Sequence, residues 1–101
     1  MIRHIVFFSA ADKANLPTIL DGLGRLTRIT HARHVEIAPN LALDGVDDST
    51  DVVVYAEFDD EAALAAFKAD PLYKESTRIV KPLREIRMVA DIRSSPISDD
   101  R

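Results

Sequence analysis

The sequence predicts an α+β domain of order β-α-β-β-α-β: a four-stranded antiparallel sheet with two helices on one face, the split βαβ arrangement of ferredoxin-like folds. Three observations predict it. Four short segments rich in β-branched and aromatic residues are separated, twice, by stretches whose apolar residues recur at helical spacing. The chain has 101 residues, enough for one domain and too few for two of ordinary size. Its 47% apolar residues supply a core without disulfide or metal staples, there being no Cys.

Ile2 to Phe8 is apolar on both parities with only Arg3 and His4 polar, the pattern of a strand buried on both faces. From Asp12 to Leu26 the period changes. Leu16, Ile19, Leu20, Leu23 and Leu26 form one helical stripe, and Pro17 suits a first turn. Gly22 and Gly24 in this helix each cost about 1 kcal/mol relative to Ala, which close packing of the helix on the sheet explains. Arg33 to Ala38 alternates Val35 and Ile37 with His34 and Glu36, a half-exposed second strand that Pro39-Asn40 ends. Leu41 to Thr50 is a polar, turn-forming loop.

Asp51 to Phe58 is again apolar on both parities and reads as a central third strand. Asp59 is the expected N-cap of the second helix, with Asp60 and Glu61 in its first turn and Ala63, Leu64, Ala66 and Phe67 facing inward. Asp70-Pro71 interrupts that helix, because the proline ring pushes Asp70 out of the α region. A further helical piece carries Leu72, Ser76, Ile79, Val80 and Leu83. Arg84 to Ile92 alternates as the fourth strand, so residues 1–92 form the domain and 93–101 a polar tail.

Right-handed crossovers place the first and third strands in the middle, with the fourth beside the first. Two helices cover one face of a sheet whose strands are apolar on both. A second copy packing sheet to sheet, hence a homodimer, is expected to cover the other.

Composition excludes several functions. A net charge of −4 opposes nucleic-acid binding, and no apolar run approaches the roughly 20 residues of a membrane span. Strand-like sequence from Met1 onward leaves no room for a signal peptide, so a cytoplasmic address is expected. His31 and His34 lie three apart, a metal spacing only on a helix, but here they enter a strand, with Glu36 the nearest carboxylate. Asp44, Asp47, Asp48 and Asp51 share a loop whose spacing departs from the calcium-loop pattern. Three glycines, at 22, 24 and 45, build no phosphate cradle. No serine sits on a strand-to-helix elbow. Neither metal nor cofactor is expected.

The start Met1-Ile2-Arg3-His4-Ile5-Val6-Phe7-Phe8, the run from Val52 to Glu61 with Ala63-Leu64-Ala65-Ala66-Phe67, the Asp70-Pro71-Leu72-Tyr73 break and the closing Val89-Ala90-Asp91-Ile92 together resemble the stress-responsive A/B barrel (Dabb) family. The likeness runs nearly to Ile92. It implies a dimeric α/β barrel of ferredoxin-like monomers, and no single reaction for the family as a whole. One plant branch cyclises linear polyketides by proton transfer. By that resemblance His4 matches a pocket histidine and Asp91 the carboxylate that orients the catalytic histidine. Tyr73 stands where the catalytic histidine itself belongs, Phe67 where its tyrosine partner belongs, and Val52 where a further pocket histidine belongs. The general-base assembly is thus largely missing, since a tyrosine with an ordinary pKa near 10 is no base at neutral pH.

Pairing of the first and fourth strands makes His4 and Asp91 cross-strand neighbours, so that a carboxylate can fix the imidazole tautomer. The alternative is a core or interface histidine satisfied by a backbone carbonyl. Tyr73 offers a hydroxyl to a cavity or packs as a surface aromatic on the second helix. His4, Asp91 and Tyr73 are therefore the candidate catalytic residues, and Phe67, Val52 and Ile19 the candidate lining of a small hydrophobic ligand pocket. The expected function is a homodimeric barrel domain with such a pocket and no assigned reaction. The competing expectation is a cofactor-free enzyme, a cyclase-like lyase or isomerase or a monooxygenase, acting on small hydrophobic metabolites.

Overall fold

A computed structural model describes residues 1–45 and 49–94. Asp47 and Asp48 of the acidic loop and residues 95–101 of the expected tail lie outside them. The elements are β1 (Ile2–Ala10), α1 (Leu16–Gly24), β2 (His34–Pro39), β3 (Val52–Phe58), α2 (Glu61–Ala69), α3 (Pro71–Val80) and β4 (Arg84–Arg93). The strands form one sheet in the order β2-β3-β1-β4, every neighbouring pair antiparallel, as the sequence predicts. No helix among the described residues is long and apolar enough to cross a membrane.

The period-2 pattern divides the sheet into two faces. Ile2, His4, Val6 and Phe8 of β1 lie opposite Phe58, Ala56, Val54 and Val52 of β3, all buried under the helices. Ile19, Leu23, Leu26, Phe67 and Val80 close the core from the helical side. The opposite face carries Ile5, Phe7, Val53 and Tyr55, half-buried by sheet neighbours alone, and Met88 and Ile92, 55% and 50% exposed.

Local chemistry moved several boundaries. The first helix is regular only from Leu16 to Gly24, flanked by 3-10 turns over Lys13–Asn15 and Arg25–Arg28, and Leu20 of its expected stripe is exposed. Gly22 does allow a close approach, but to α3 rather than the sheet: a Cβ there would lie 2.8 Å from Ile79 Cγ2 and 2.9 Å from Val80 Cγ2. Gly24 has open space around it, so close packing does not explain it.

The N-cap of α2 is Asp60, whose carboxylate accepts from the Ala63 N–H, and not Asp59, which instead pairs with Arg33 at 2.6 Å. The extended backbone of Asp60 (φ −159°, ψ 178°) is what an N-cap requires. Asp70 breaks the helical run as expected: at φ −66°, ψ 140° it ends α2 and caps α3 through the Leu72 N–H. Leu83 falls in the turn after α3, and β4 includes Arg93, one residue beyond the expected domain boundary.

Asp51 joins the start of β3 to the end of β1. Burial pushes its carboxyl up, but the Lys13 ammonium at 2.6 Å and the Ala10 N–H at 2.8 Å outweigh that and hold it below its ordinary value.

Candidate functional site

The β1–β4 register puts His4 directly opposite Asp91, and both face the helices. The geometry that strand pairing predicted is realised: His4 Nδ1 lies 2.5 Å from Asp91 Oδ1. An ionised carboxylate only accepts, so Nδ1 carries the proton and donates, leaving the Nε2 lone pair free of any hydrogen bond among the described residues. The imidazole is 2% exposed and the carboxylate 39%. Burial pushes the His4 pKa down; the hydrogen bond and charge of Asp91 oppose this, while Lys68 and Arg87 add to the lowering. The net direction is downward, so the ring is neutral at pH 7 and its Nε2 is a proton acceptor.

A file of rings runs from His4 into the helical layer. His4 meets Phe58 edge-on at 6.3 Å, Phe58 meets Phe67 of α2 at 5.0 Å, and Phe67 meets Tyr73 of α3 at 5.5 Å. Edge-to-face contacts of this kind fix ring orientation beyond what area burial does. Tyr73 thus packs on Phe67, as the surface-aromatic alternative expects, yet its hydroxyl also turns to β4 and accepts from Arg87 Nη2 at 3.4 Å.

The helix-facing row of β4 is bound closely to β1 and only lightly to the helices. Two side chains reach across: Arg87 to Tyr73 of α3, and Arg93 to Glu61 of α2 at 2.6 Å. Between them Val89, 45% exposed, and Asp91 stand open beside the buried imidazole.

The family model described as Stress responsive A/B Barrel Domain, Dabb, matches residues 2–94 of the chain. The chain belongs to the Dabb family. Solved structures agree on the fold. A Dabb family protein with a ferredoxin-like fold from Mesorhizobium loti superimposes with a TM-score of 0.75 at 22% identity, over 96% of this chain and 97% of that one. A dimeric ferredoxin-like protein of unknown function from Jannaschia sp. CCS1 gives 0.81 at 15% identity, over 92% and 98%. A putative antibiotic biosynthesis monooxygenase from Nitrosomonas europaea gives 0.74 at 18%, over 93% and 98%. No curated protein matches the chain.

Of the six residues singled out from the sequence of this Dabb domain, His4, Asp91, Tyr73 and Phe67 converge along β1, β4 and the two C-terminal helices. Val52 and Ile19, 1% and 0% exposed, are members of the packed core. Val52 sits opposite Phe8, four residues along β1 from His4. Arg87, Lys68 and Phe58 were missed. Arg87 carries a readable signal, since it shares the parity of Val89 and Asp91 on a strand whose alternation is plain. Among the described residues no three metal-ligating side chains converge. His34 pairs with Glu36 on β2 at 3.1 Å, and His31 stands exposed in the preceding turn.

Proposed function

We propose that this Dabb domain is a homodimer that binds a small hydrophobic molecule in the space between β4 and α2–α3, with His4 as its central polar contact. One observation carries the reading. A buried histidine is oriented by a part-exposed carboxylate on a strand that the helices contact only lightly, and its Nε2 makes no hydrogen bond among the described residues, which leaves it available to a ligand. Phe67 and Tyr73 supply apolar surface and a hydroxyl. The dimer is supported by the half-apolar open face and by the dimeric description of the Jannaschia structure.

A second reading, a cofactor-free enzyme, is favoured by the protonation state of the dyad. A neutral imidazole whose Nδ1–H is held by Asp91 accepts a proton at Nε2, and the carboxylate then steadies the imidazolium. Such a base can remove a proton from an activated carbon or a hydroxyl of the bound molecule. The Nitrosomonas neighbour described as a putative monooxygenase shows only that this fold accommodates an enzyme of that description, since fold does not establish function.

Thermal shift against a panel of small aromatic and aliphatic metabolites tests the binding reading. A ligand present at a hundred times its Kd adds about 2.7 kcal/mol to the native state and raises the melting temperature by on the order of 10 °C. His4→Phe is expected to abolish that rise while the dimer and the unliganded melting temperature persist. Loss of folding together with loss of response would make His4 a structural residue and remove the proposal's centre.

A further inference from the structure

The polar groups along the open row of β4 are unevenly charged. Asp91 is engaged by His4, whereas Arg84 and Arg87, both half-buried, form no ion pair among the described residues. The other carboxylates that pair among the described residues are taken elsewhere: Asp21 and Glu75 by Arg25, Glu61 by Arg93, Asp59 by Arg33, Asp51 by Lys13 and Glu36 by His34. The register shift between Ser9 and Ala10 sets Arg84 opposite Ala10 and Arg87 opposite Phe8, so both arginines occupy the helix-facing row despite an odd spacing. Their proximity shows in the Arg84 guanidinium, whose pKa is lowered first by burial and then by Arg87, with Tyr73 acting the other way. The one side-chain hydrogen bond of Arg87 among the described residues is long, 3.4 Å, and goes to an uncharged acceptor, the Tyr73 hydroxyl. Two adjacent, partly desolvated guanidinium groups with no carboxylate partner are costly unless something anionic joins them.

We propose that the molecule bound beside His4 is an amphipathic acid, its oxyanion held by Arg84, Arg87 and the Tyr73 hydroxyl and its apolar body lying along Val89 towards the imidazole. Guanidinium forks bind carboxylate and phosphate oxygens in pairs, and the phenol adds a third donor. From Arg87 to Asp91 is four residues of strand, about 13 Å. That spans a medium-length acyl chain or a substituted aromatic acid, so one end of the ligand meets the cations while the other reaches Nε2. The inference rests on the binding site proposed above and names the class of molecule that fits it.

Titration of the full chain with octanoate, octanol and inorganic phosphate, followed by amide chemical shifts of Val89 and its neighbours on β4, tests it. Octanoate is expected to bind at least tenfold more tightly than octanol. Arg87→Gln and, separately, Arg84→Gln are expected to bring octanoate down to the level of octanol, and the unliganded melting temperature is expected not to fall, since each change relieves the unpaired cations. Arg87→Lys, which keeps the charge but not the fork, is expected to fall between. Equal binding of octanoate and octanol by the wild type would overturn the acid specificity and leave the small-molecule site standing. Binding of phosphate as tight as that of octanoate would overturn the amphipathic assignment in favour of a bare oxyanion site. No shift at β4 with either alkyl probe would overturn both the specificity and the site.

Discussion

The proposed site centres on one imidazole. Folding takes His4 out of water and lowers its pKa below the ordinary 6.5, against the pull of Asp91. Stability from this source is therefore fully present above about pH 6.5 and is lost as the pH falls through the lower folded value, because in that window the unfolded chain binds more protons than the native one. The stability difference between wild type and His4→Gln, measured by denaturant unfolding, is expected to shrink from pH 7 to pH 5. A difference constant across that range would show that the ring titrates alike in the folded and unfolded states, and would refute the lowered pKa. Asp91→Asn removes the carboxylate whose hydrogen bond and charge raise the His4 pKa, so NMR titration of the ring should show a further fall. A rise would mean that Asp91 does not favour the imidazolium.

At the scale of elements, the two glycines of the first helix have opposite meanings. Both were legible as a cost to the helix, but only contact with α3 distinguishes them. Gly22→Ala sets a methyl group under 3.0 Å from Ile79 and Val80, and is expected to destabilise by about 1 to 3 kcal/mol. Gly24 has helical backbone (φ −57°, ψ −24°) and free space, so Gly24→Ala is expected to stabilise by about 0.5 to 1 kcal/mol. Thermal unfolding of the two variants should move in opposite directions, and a shift of the same sign in both would refute the assignment of the tight contact to Gly22. The cap of α2 teaches the same lesson. Asp59 and Asp60 are equally good caps by residue type, and the chain selects Asp60 because the strand ends at Phe58 and Asp59 is drawn to Arg33.

For the whole molecule, the open face of the sheet carries the proposed dimer. Ile5, Phe7, Val53 and Tyr55 are apolar and only half-covered, with Met88 and Ile92 55% and 50% exposed in the single chain. Light scattering is expected to give twice the chain mass of 11.2 kDa. Met88→Asp, which places a charge on that face without touching the helical core, is expected to shift the equilibrium towards monomer. A stable, unaggregated wild-type monomer at micromolar concentration would contradict the sheet-to-sheet dimer.

The order of elements, the strand neighbours and the meeting of His4 with Asp91 were all present in the sequence. Alternation assigns faces, and the pairing of β1 with β4 follows from topology, so a residue near the start of one strand must meet one near the end of the other. Distances across the layers are different in kind. That Tyr73 meets Phe67 edge-on and accepts from Arg87, that Gly22 lies close against Ile79, and that Arg84 returns to the row of Arg87 through a register shift all depend on how α3 lies over the sheet and where the pairing slips. The direction of the His4 pKa belongs with these. Burial and a carboxylate partner push it oppositely, and only the tertiary structure, which buries the imidazole while leaving Asp91 partly in water, decides which wins.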